Sequence, residues 1–157
     1  MPVSGQVGIH ATITQTAAAD LGALTSTFSF APAWDITSGV AANQADDVWS
    51  DNRTLATGAN EDLDLSGATL TNAFGVALAF VKVKAILIAA TGTLAGVANT
   101  TNLTVGNATS NAFVGPFGSA THTLVLKPGD CYGIFSPGLA GWPGDAPTPD
   151  LLRITNA

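Results

Sequence analysis

The sequence predicts an all-β domain, an antiparallel β-sandwich or jelly-roll-like fold with an extended N-terminal arm. Several short segments alternate apolar and polar residues with a period of two, which is typical of strands that have one wet face. Residues that favour turns separate these segments at intervals of about 8–12 residues. No capped segment with a helical period interrupts the series, so a sheet with crossover helices is not expected.

The composition indicates one domain that buries surface beyond its own core. The chain has 157 residues, of which 46% are hydrophobic and only 10% are charged. A chain with so few charges usually hides part of its surface against neighbouring subunits. The longest apolar run is interrupted by two lysines and is too short to span a bilayer as a helix, so we expect no membrane partner.

The charge distribution argues against nucleic acid as a partner. The net charge is −6, and the five lysines and arginines are spread along the chain at positions 53, 82, 84, 127 and 153. Such a pattern offers no basic patch that would neutralise phosphates. The N-terminus lacks the positive and apolar regions of a classical secretion signal, and a single cysteine excludes an internal disulfide framework.

Residues 1–46 are predicted to form an arm that packs on the body or on a neighbour. The segment Val7–Gln15 alternates cleanly, and Thr27–Ala31 alternates again before Pro32. Residues 16–22 have some helical propensity but are too short to form a helix alone. Residues 37–47 are small and polar without a period, and we predict a loop that separates the arm from a body of residues 47–157.

The segment Phe80–Ala90 is the predicted central strand. Its first half alternates, with Val81 and Val83 on one face and two lysines on the other. Its second half, Ala85–Ala90, is apolar on both faces, which is typical of a strand buried between two layers. The remaining predictions are an extended segment at 47–56, strands at 63–66, 102–106, 122–127, 131–135 and 151–155, a loop or weak strand at 91–100, and a Pro/Gly loop at 137–149.

The residues that carry chemistry do not form a recognisable catalytic, cofactor or metal site. His10 and His122 lie on the polar sides of separate strands, and no third metal ligand is identifiable. No Gly-x-Ser-x-Gly motif is present, so we predict a protein that is not an enzyme and holds no cofactor or metal. Cys131 opens an apolar strand and is expected to be a buried small hydrophobic residue.

Carboxylates cluster in two places, and both clusters are interpreted as solvated turns and caps. Calcium requires a shaped loop with six to eight oxygen ligands, and the Asp-x-Asp-x-Asp-Gly pattern is absent. Asp62 and Asp64 share one face of a strand, and Arg53 is expected to pair with one of them. The two clusters are Asp46, Asp47 and Asp51, and Glu61, Asp62 and Asp64.

Four aromatic residues are the candidates for contact with other subunits. Trp34 and Trp142 fall in predicted loops, Trp49 begins an extended segment, and Phe117 belongs to the aromatic corner at 112–118. Anchoring in the core or in a subunit interface is the preferred interpretation of the tryptophans, and a sugar-binding platform is the alternative.

Five segments resemble a group of small virion proteins of tailed bacteriophages. They are Asp-Val-Trp-Ser-Asp-Asn-Arg-Thr-Leu at 47–55, Glu-Asp-Leu-Asp-Leu-Ser-Gly at 61–67, Ala-Phe-Val-Gly-Pro-Phe-Gly at 112–118, Leu-Lys-Pro-Gly-Asp at 126–130 and Asp-Leu-Leu-Arg-Ile-Thr-Asn at 150–156. The resemblance covers about two thirds of the chain, from residue 43 onwards, and the arm is less distinctive.

The resemblance implies a β-sandwich or jelly-roll subunit of the phage particle, and it favours a capsid decoration or cement protein. Such a protein is made in the bacterial cytoplasm, binds the outer surface of the capsid and bridges major capsid subunits. Its partners would be the major capsid protein and further copies of itself, with a trimer preferred over a dimer. The alternative is a tail, fibre or spike domain that binds a host-surface glycan.

Overall fold

The computed structural model describes residues 2–20, 22–90, 98–144 and 150–157. All regular elements in these ranges are strands, so the predicted all-β class is confirmed. Part of the predicted segment 91–100 and the end of the predicted loop 137–149 lie outside the described residues. The strands are β1 (Gly5–Gly8), β2 (Ala11–Ala19), β3 (Gly22–Phe30), β4 (Ala33–Ser38), β5 (Gln44–Ala45), β6 (Asn60–Asp64), β7 (Leu70–Thr71), β8 (Ala77–Leu78), β9 (Lys82–Val83), β10 (Ala85–Ala89), β11 (Leu103–Gly106), β12 (Thr123–Leu126), β13 (Cys131–Phe135), β14 (Trp142–Pro143) and β15 (Leu151–Asn156).

The first four strands form one long antiparallel hairpin. Strand β1 pairs with β4, with Gly5 opposite Ile36, and β2 pairs with β3, with Ala11 opposite Phe30. The two ladders share one register, and a hydrogen bond from the Ile9 amide to the Pro32 carbonyl (3.1 Å) continues it across the gap. Proline has no amide hydrogen to donate, which explains the interruption of the ladder at this point.

Strands β2 and β3 correct two predictions for the arm. The segment predicted as one strand from Val7 to Gln15 is divided between β1 and β2. Residues 16–19, predicted to have helical propensity, continue β2, because each residue there pairs with one of β3. Cross-strand pairing over nine positions outweighs the weak local preference of a few alanines for helix.

The body contains an antiparallel four-stranded sheet in the order β12-β11-β15-β6. Strand β15 pairs with β6 on one side and with β11 on the other, and these pairings join residues that are far apart in the sequence. The predicted strands at 102–106, 122–127 and 151–155 are confirmed as β11, β12 and β15, with small differences at their ends. The segment predicted at 63–66 forms β6 a few residues earlier, and residues 47–56 form no strand.

The prediction of a buried central strand at Phe80–Ala90 is wrong. Residues 85–89 form β10, which pairs with β13 in a two-stranded sheet, and Leu87 is 68% exposed. Residues 82–83 form the separate strand β9, which pairs with β14. Apolar residues on both faces of a strand therefore do not establish burial here, because within β10 only Ile86 and Ile88 pack against the core.

The core contains buried side chains of the four-stranded sheet, and Ile86, Ile88 and Tyr132 of the β10–β13 pair pack against it. Phe113 and Val105 are the largest side chains that are fully buried. Successive side chains of a strand point to opposite faces of the sheet. In β11, Val105 therefore faces the core, whereas Thr104 beside it faces the other side of the sheet. The other core residues are Leu63, Leu65, Leu70, Leu78, Ala90, Leu126 and Leu152.

Candidate interaction site

The β2–β3 ribbon, residues 11–30, extends into solvent beyond the base formed by β1 and β4. Its two strands pair only with each other among the named strands, and the described side chains of β3 are all exposed. Phe28 is 58% exposed and Leu24 is 67% exposed, which is unusual for large apolar residues in regular structure. An isolated two-stranded ribbon is marginally stable in water, so this element has the properties of a contact surface.

The two faces of the ribbon differ in chemistry. Residues directly opposite each other in an antiparallel pair project to the same face. The pairs Ala11–Phe30, Ile13–Phe28 and Ala17–Leu24 therefore form a largely apolar face, which the polar pair Gln15–Ser26 interrupts. The opposite face carries hydroxyl groups: Thr12 opposite Ser29, Thr14 opposite Thr27, and Thr16 opposite Thr25. The hydroxyl oxygens of Thr14 and Thr27 are 3.3 Å apart.

The base of the ribbon is anchored to the body. Strand β4 pairs in parallel with β5, and the amide of Asn43 donates a hydrogen bond to the carbonyl of Pro137 (2.7 Å). The ammonium group of Lys84 donates to the carbonyl of Gln44 (2.7 Å) and to that of Ala41. The predicted loop at 37–47 thus includes the short strand β5. Its hydrogen bonds with Lys84 connect the arm to the residue that precedes β10.

A groove of about 1590 Å³ opens beside β10. Its apolar walls come from β10, from β6 and β15 of the four-stranded sheet, and from residues 46–55, which run along it without forming a strand. Typical small-molecule pockets measure about 300–1,000 Å³, so the groove has room for a longer segment. The apolar lining includes Trp49, Leu63, Leu65, Phe80, Val83, Ile86, Ile88, Leu103, Leu152 and Ile154.

The four predicted interface residues lie in different parts of the fold. Trp34 lies in β4 rather than in a loop, and its ring centroid is 6.2 Å from that of Phe135. Trp142 lies in β14 rather than in a loop, and Trp49 lies outside the strands. Trp49, Phe117 and Trp142 are half-buried against the core of the same chain. The guanidinium of Arg53 lies 5.7 Å from the centroid of the Trp49 ring.

The expected ion pair of Arg53 with Asp62 or Asp64 is wrong. Arg53 contacts Asp51 and Glu61 instead, each at 3.1 Å. Asp62 lies opposite Arg153 in the β6–β15 ladder and accepts two hydrogen bonds of 2.7 Å from it. These bonds lower the pKa of Asp62 below its ordinary value, against a smaller opposing effect of burial.

The other polar candidates have local structural roles. Asp64 accepts hydrogen bonds from the amides of Ser66 (3.2 Å) and Gly67 (2.7 Å), so it holds the turn after β6. A nitrogen of the His122 ring is 2.7 Å from the carbonyl of Phe117. His10 is exposed, and its ring lies 3.3 Å from the hydroxyl of Thr12. Within the described ranges, no three His, Cys, Asp or Glu side chains are grouped as metal ligands would be.

Cys131 is exposed, so the prediction that it is buried is wrong. The strand β13 alternates, and Tyr132 faces the core, which directs Cys131 to the opposite side. Burial raises the pKa of the Tyr132 hydroxyl above its ordinary value. The apolar character of a strand indicates that one face is buried, but not which one.

The β2–β3 ribbon and the groove, the two features that define this site, were not predicted from the sequence. The continued alternation of threonines through Thr16 and Thr25 is a signal for the ribbon that could have been used. The groove has no such signal, because its walls come from segments that are distant in the chain.

Comparison with protein-family models, with curated proteins and with solved structures found no match. Among the residues that the structure describes, there is no helix of the length and hydropathy that crossing a bilayer requires.

Proposed function

We propose that this chain is a non-enzymatic structural protein of a bacteriophage particle, a capsid decoration protein that binds the outer shell and bridges major capsid subunits. The observation that carries the proposal is the β2–β3 ribbon, which exposes an apolar face from an anchored base. The resemblance of five segments to small virion proteins supplies the kind of assembly.

The ribbon supports an assembly role because water is a poor environment for its apolar face. Its two strands, Ala-Thr-Ile-Thr-Gln-Thr-Ala-Ala-Ala and Gly-Ala-Leu-Thr-Ser-Thr-Phe-Ser-Phe, contain no charged residue, and the carboxylate of Asp20 follows the end of β2. Burial of the strands against another protein would therefore remove no ionised group from water. On a symmetric capsid, many weak contacts of this kind would be strengthened by avidity.

The remaining parts of the proposal concern architecture and location. We propose that the four-stranded sheet and the β10–β13 pair belong to the two layers of a sandwich or jelly roll. The protein would form homo-oligomers, with a trimer preferred over a dimer, and would lie on the exterior of the capsid. Its net charge of −6 makes a role through binding nucleic acid unfavourable.

A tail or fibre module that binds glycans is less well supported. That hypothesis requires aromatic rings exposed as a platform, whereas Trp49 and Trp142 are half-buried against the core and Trp34 contacts Phe135. The aromatic residues with the greatest exposure, Phe74 and Phe28, are phenylalanines without a polar group that would orient a sugar.

The copy number per particle tests the proposed function. Purified particles that contain the chain would be analysed on a quantitative gel, with the major capsid protein as the internal standard. A decoration protein is expected at on the order of hundreds of copies per particle, because it follows the capsid lattice. A copy number in the range of the tail proteins would contradict the proposal.

A further inference from the structure

Among the described strands, none pairs with the edge of β10 that faces away from β13, and the residues of β10 line the groove. Ser136 donates to the Lys84 carbonyl (2.7 Å), and Ala90 donates to the Asp130 carbonyl (2.8 Å). In an antiparallel ladder, the residues that bond one neighbour alternate with residues that point to the other side. The backbone groups of Ala85, Leu87 and Ala89 therefore point away from β13.

The lining of the groove supports this orientation. Every residue from Ala85 to Ala90 lines it, although the side chains of a strand alternate between two faces. An exposed strand edge presents the backbone of every residue, so an edge that forms the wall accounts for this continuous run. Among the described strands, β10 pairs with β13 alone, so this edge offers hydrogen bonds to a further strand.

The chemistry of the groove fits a strand with one apolar face. Ile86 and Ile88 of β10 pack towards the core, and Leu152 and Ile154 of β15 also line the groove. A strand added to β10 would direct alternate side chains between these walls and the others towards solvent. A strand without charged residues that has one apolar face and one polar face meets that requirement.

The β2–β3 ribbon has this composition, and both of its outer edges are unpaired among the described strands. Its apolar face would cover the groove, with Gln15 and Ser26 as the one polar pair on that side, while the hydroxyl face from Thr12 to Thr16 would remain in water. The ribbon leaves its own body through the ladder that Ile9 and Pro32 continue, and its side chains are exposed, so its own groove is not its binding place.

We propose that the β2–β3 ribbon of a second copy of this chain adds to the open edge of β10 and fills the groove. The inference rests on the homo-oligomeric part of the proposed function and not on the virion role.

An aromatic side chain can bury about 150–250 Å², so Phe28 and Phe30, which are 58% and 50% exposed, offer about 100 Å² each.

Together with Ile13 and Leu24, they offer about 400 Å² of apolar surface, and the groove offers a similar area. Two reciprocal contacts would bury about 1,600 Å², the usual size of a stable protein interface. A closed ring of three copies would also give every copy two such contacts, one as donor of the ribbon and one as acceptor.

Two variants separate the donor surface from the acceptor edge. Phe28→Asp places a charge on the apolar face of the ribbon, and Thr27→Asp is its matched control on the hydroxyl face. Leu87→Pro removes an amide hydrogen from the open edge without touching the β13 ladder, and Leu87→Ala controls for loss of the side chain. Native mass spectrometry and light scattering of the full chain would measure association.

The wild type and both controls are expected to form homo-oligomers. The homo-oligomers of the Phe28→Asp and Leu87→Pro variants are expected to have dissociation constants on the order of 100-fold higher than the wild type, because each substitution removes one half of the contact. Mixed in equal amounts, the two variants are expected to form a heterodimer, since one retains the groove and the other retains the ribbon. A monomeric wild type would overturn the proposal.

Two further outcomes would also overturn it. If Leu87→Pro associates like the wild type while Phe28→Asp does not, the ribbons bind each other and not the groove. If Leu87→Pro does not fold, hydrogen exchange of the wild type decides. The Leu87 amide must be protected in the oligomer and exchange rapidly after dilution to monomer, whereas protection at every concentration would mean that the same chain fills its groove.

The outcome is independent of the virion assay. Association through the groove combined with a low copy number per particle would contradict the decoration role and leave the strand addition intact. A high copy number with a monomeric chain in solution would contradict the strand addition alone.

Discussion

At the scale of residues, Phe113 shows how a side chain outside the strands becomes part of the core. Phe113 lies in a loop and not in a strand, yet it is only 2% exposed. Its amide donates to the Leu151 carbonyl (2.9 Å), which fixes the loop against β15. An aromatic residue thus reaches the core from an irregular segment because one backbone contact orients it.

Replacing Phe113 by alanine is expected to lower the free energy of unfolding by about 3–5 kcal/mol, because the change leaves a cavity among buried side chains. Chemical denaturation followed by tryptophan fluorescence measures the loss. Phe74→Ala is the matched control, since Phe74 is 74% exposed and its truncation removes little packing. Equal losses for the two variants would show that Phe113 is not a core residue.

The Asp62–Arg153 pair links stability to acid pH. The hydrogen bonds from Arg153 lower the pKa of Asp62 from its ordinary value of 3.8. A carboxylate whose pKa is lower in the folded chain stabilises the fold above its unfolded pKa, and this stabilisation is lost as the pH falls through the folded pKa. The pair should therefore strengthen the β6–β15 ladder at neutral pH but not in strong acid.

Asp62→Asn is expected to unfold more readily than the wild type at neutral pH, and the difference should shrink as the pH is lowered from 3.8. Thermal unfolding over a pH series measures it. Asp51→Asn is the control, because the Asp51 and Arg53 side chains are 46% and 44% exposed and water weakens their attraction. A constant difference at every pH would show that ionisation of Asp62 is not the cause.

At the scale of elements, the β11–β12 hairpin depends on a glycine at its end. Gly106 has a φ of +104°, and a Cβ atom there would lie 2.6 Å from the carbonyl oxygen of His122. Both the backbone angle and the close approach disfavour any other residue. The ladder can end with Gly106 opposite Thr123 only because no side chain is present.

Gly106→Ala is expected to destabilise the chain by about 1–3 kcal/mol, which is typical of a residue forced into a strained backbone conformation. Gly5→Ala is the control: Gly5 also lies in a strand, but nothing within 4 Å would meet its Cβ. Urea denaturation of both variants checks the expectation. A stable Gly106→Ala variant would mean that the hairpin can shift away from His122.

The sequence predicted the short alternating strands much better than the apolar one. The segment at 131–135 is a strand with the predicted ends, and those at 102–106 and 151–155 differ only slightly. The prediction that β10 is buried was wrong because Val, Ile and Leu on both faces are typical of a strand between two layers. Here Leu87 faces solvent, and among the described strands β10 pairs with β13 alone.

At the scale of the whole molecule, the ribbon and the body are structurally separate. The ribbon contributes none of the core residues, and its base is joined to the body by β5, Lys84 and the contact of Trp34 with Phe135. Loss of the ribbon should therefore change association far more than folding.

Replacing residues 8–33 by Asn-Gly would join Val7 and Trp34, which lie opposite each other in β1 and β4, through a two-residue turn with the sequence that such turns prefer. The body is expected to unfold at the same denaturant concentration as the full chain, whereas the homo-oligomer should be lost. Denaturation and light scattering measure the two effects. A body that no longer folds would show that the ribbon is part of the core.

The sequence by itself determined the all-β class, the net charge of −6 and most strands of the body, because these depend on local alternation and on composition. Only the tertiary structure decided which apolar surfaces remain open. The groove and the exposure of Leu87 result from pairing between distant segments, and the partner of Asp62 results from the register of β6 and β15. Such pairings are selected by the whole fold, since a strand's own residues specify two faces and two edges but not the neighbours that cover them.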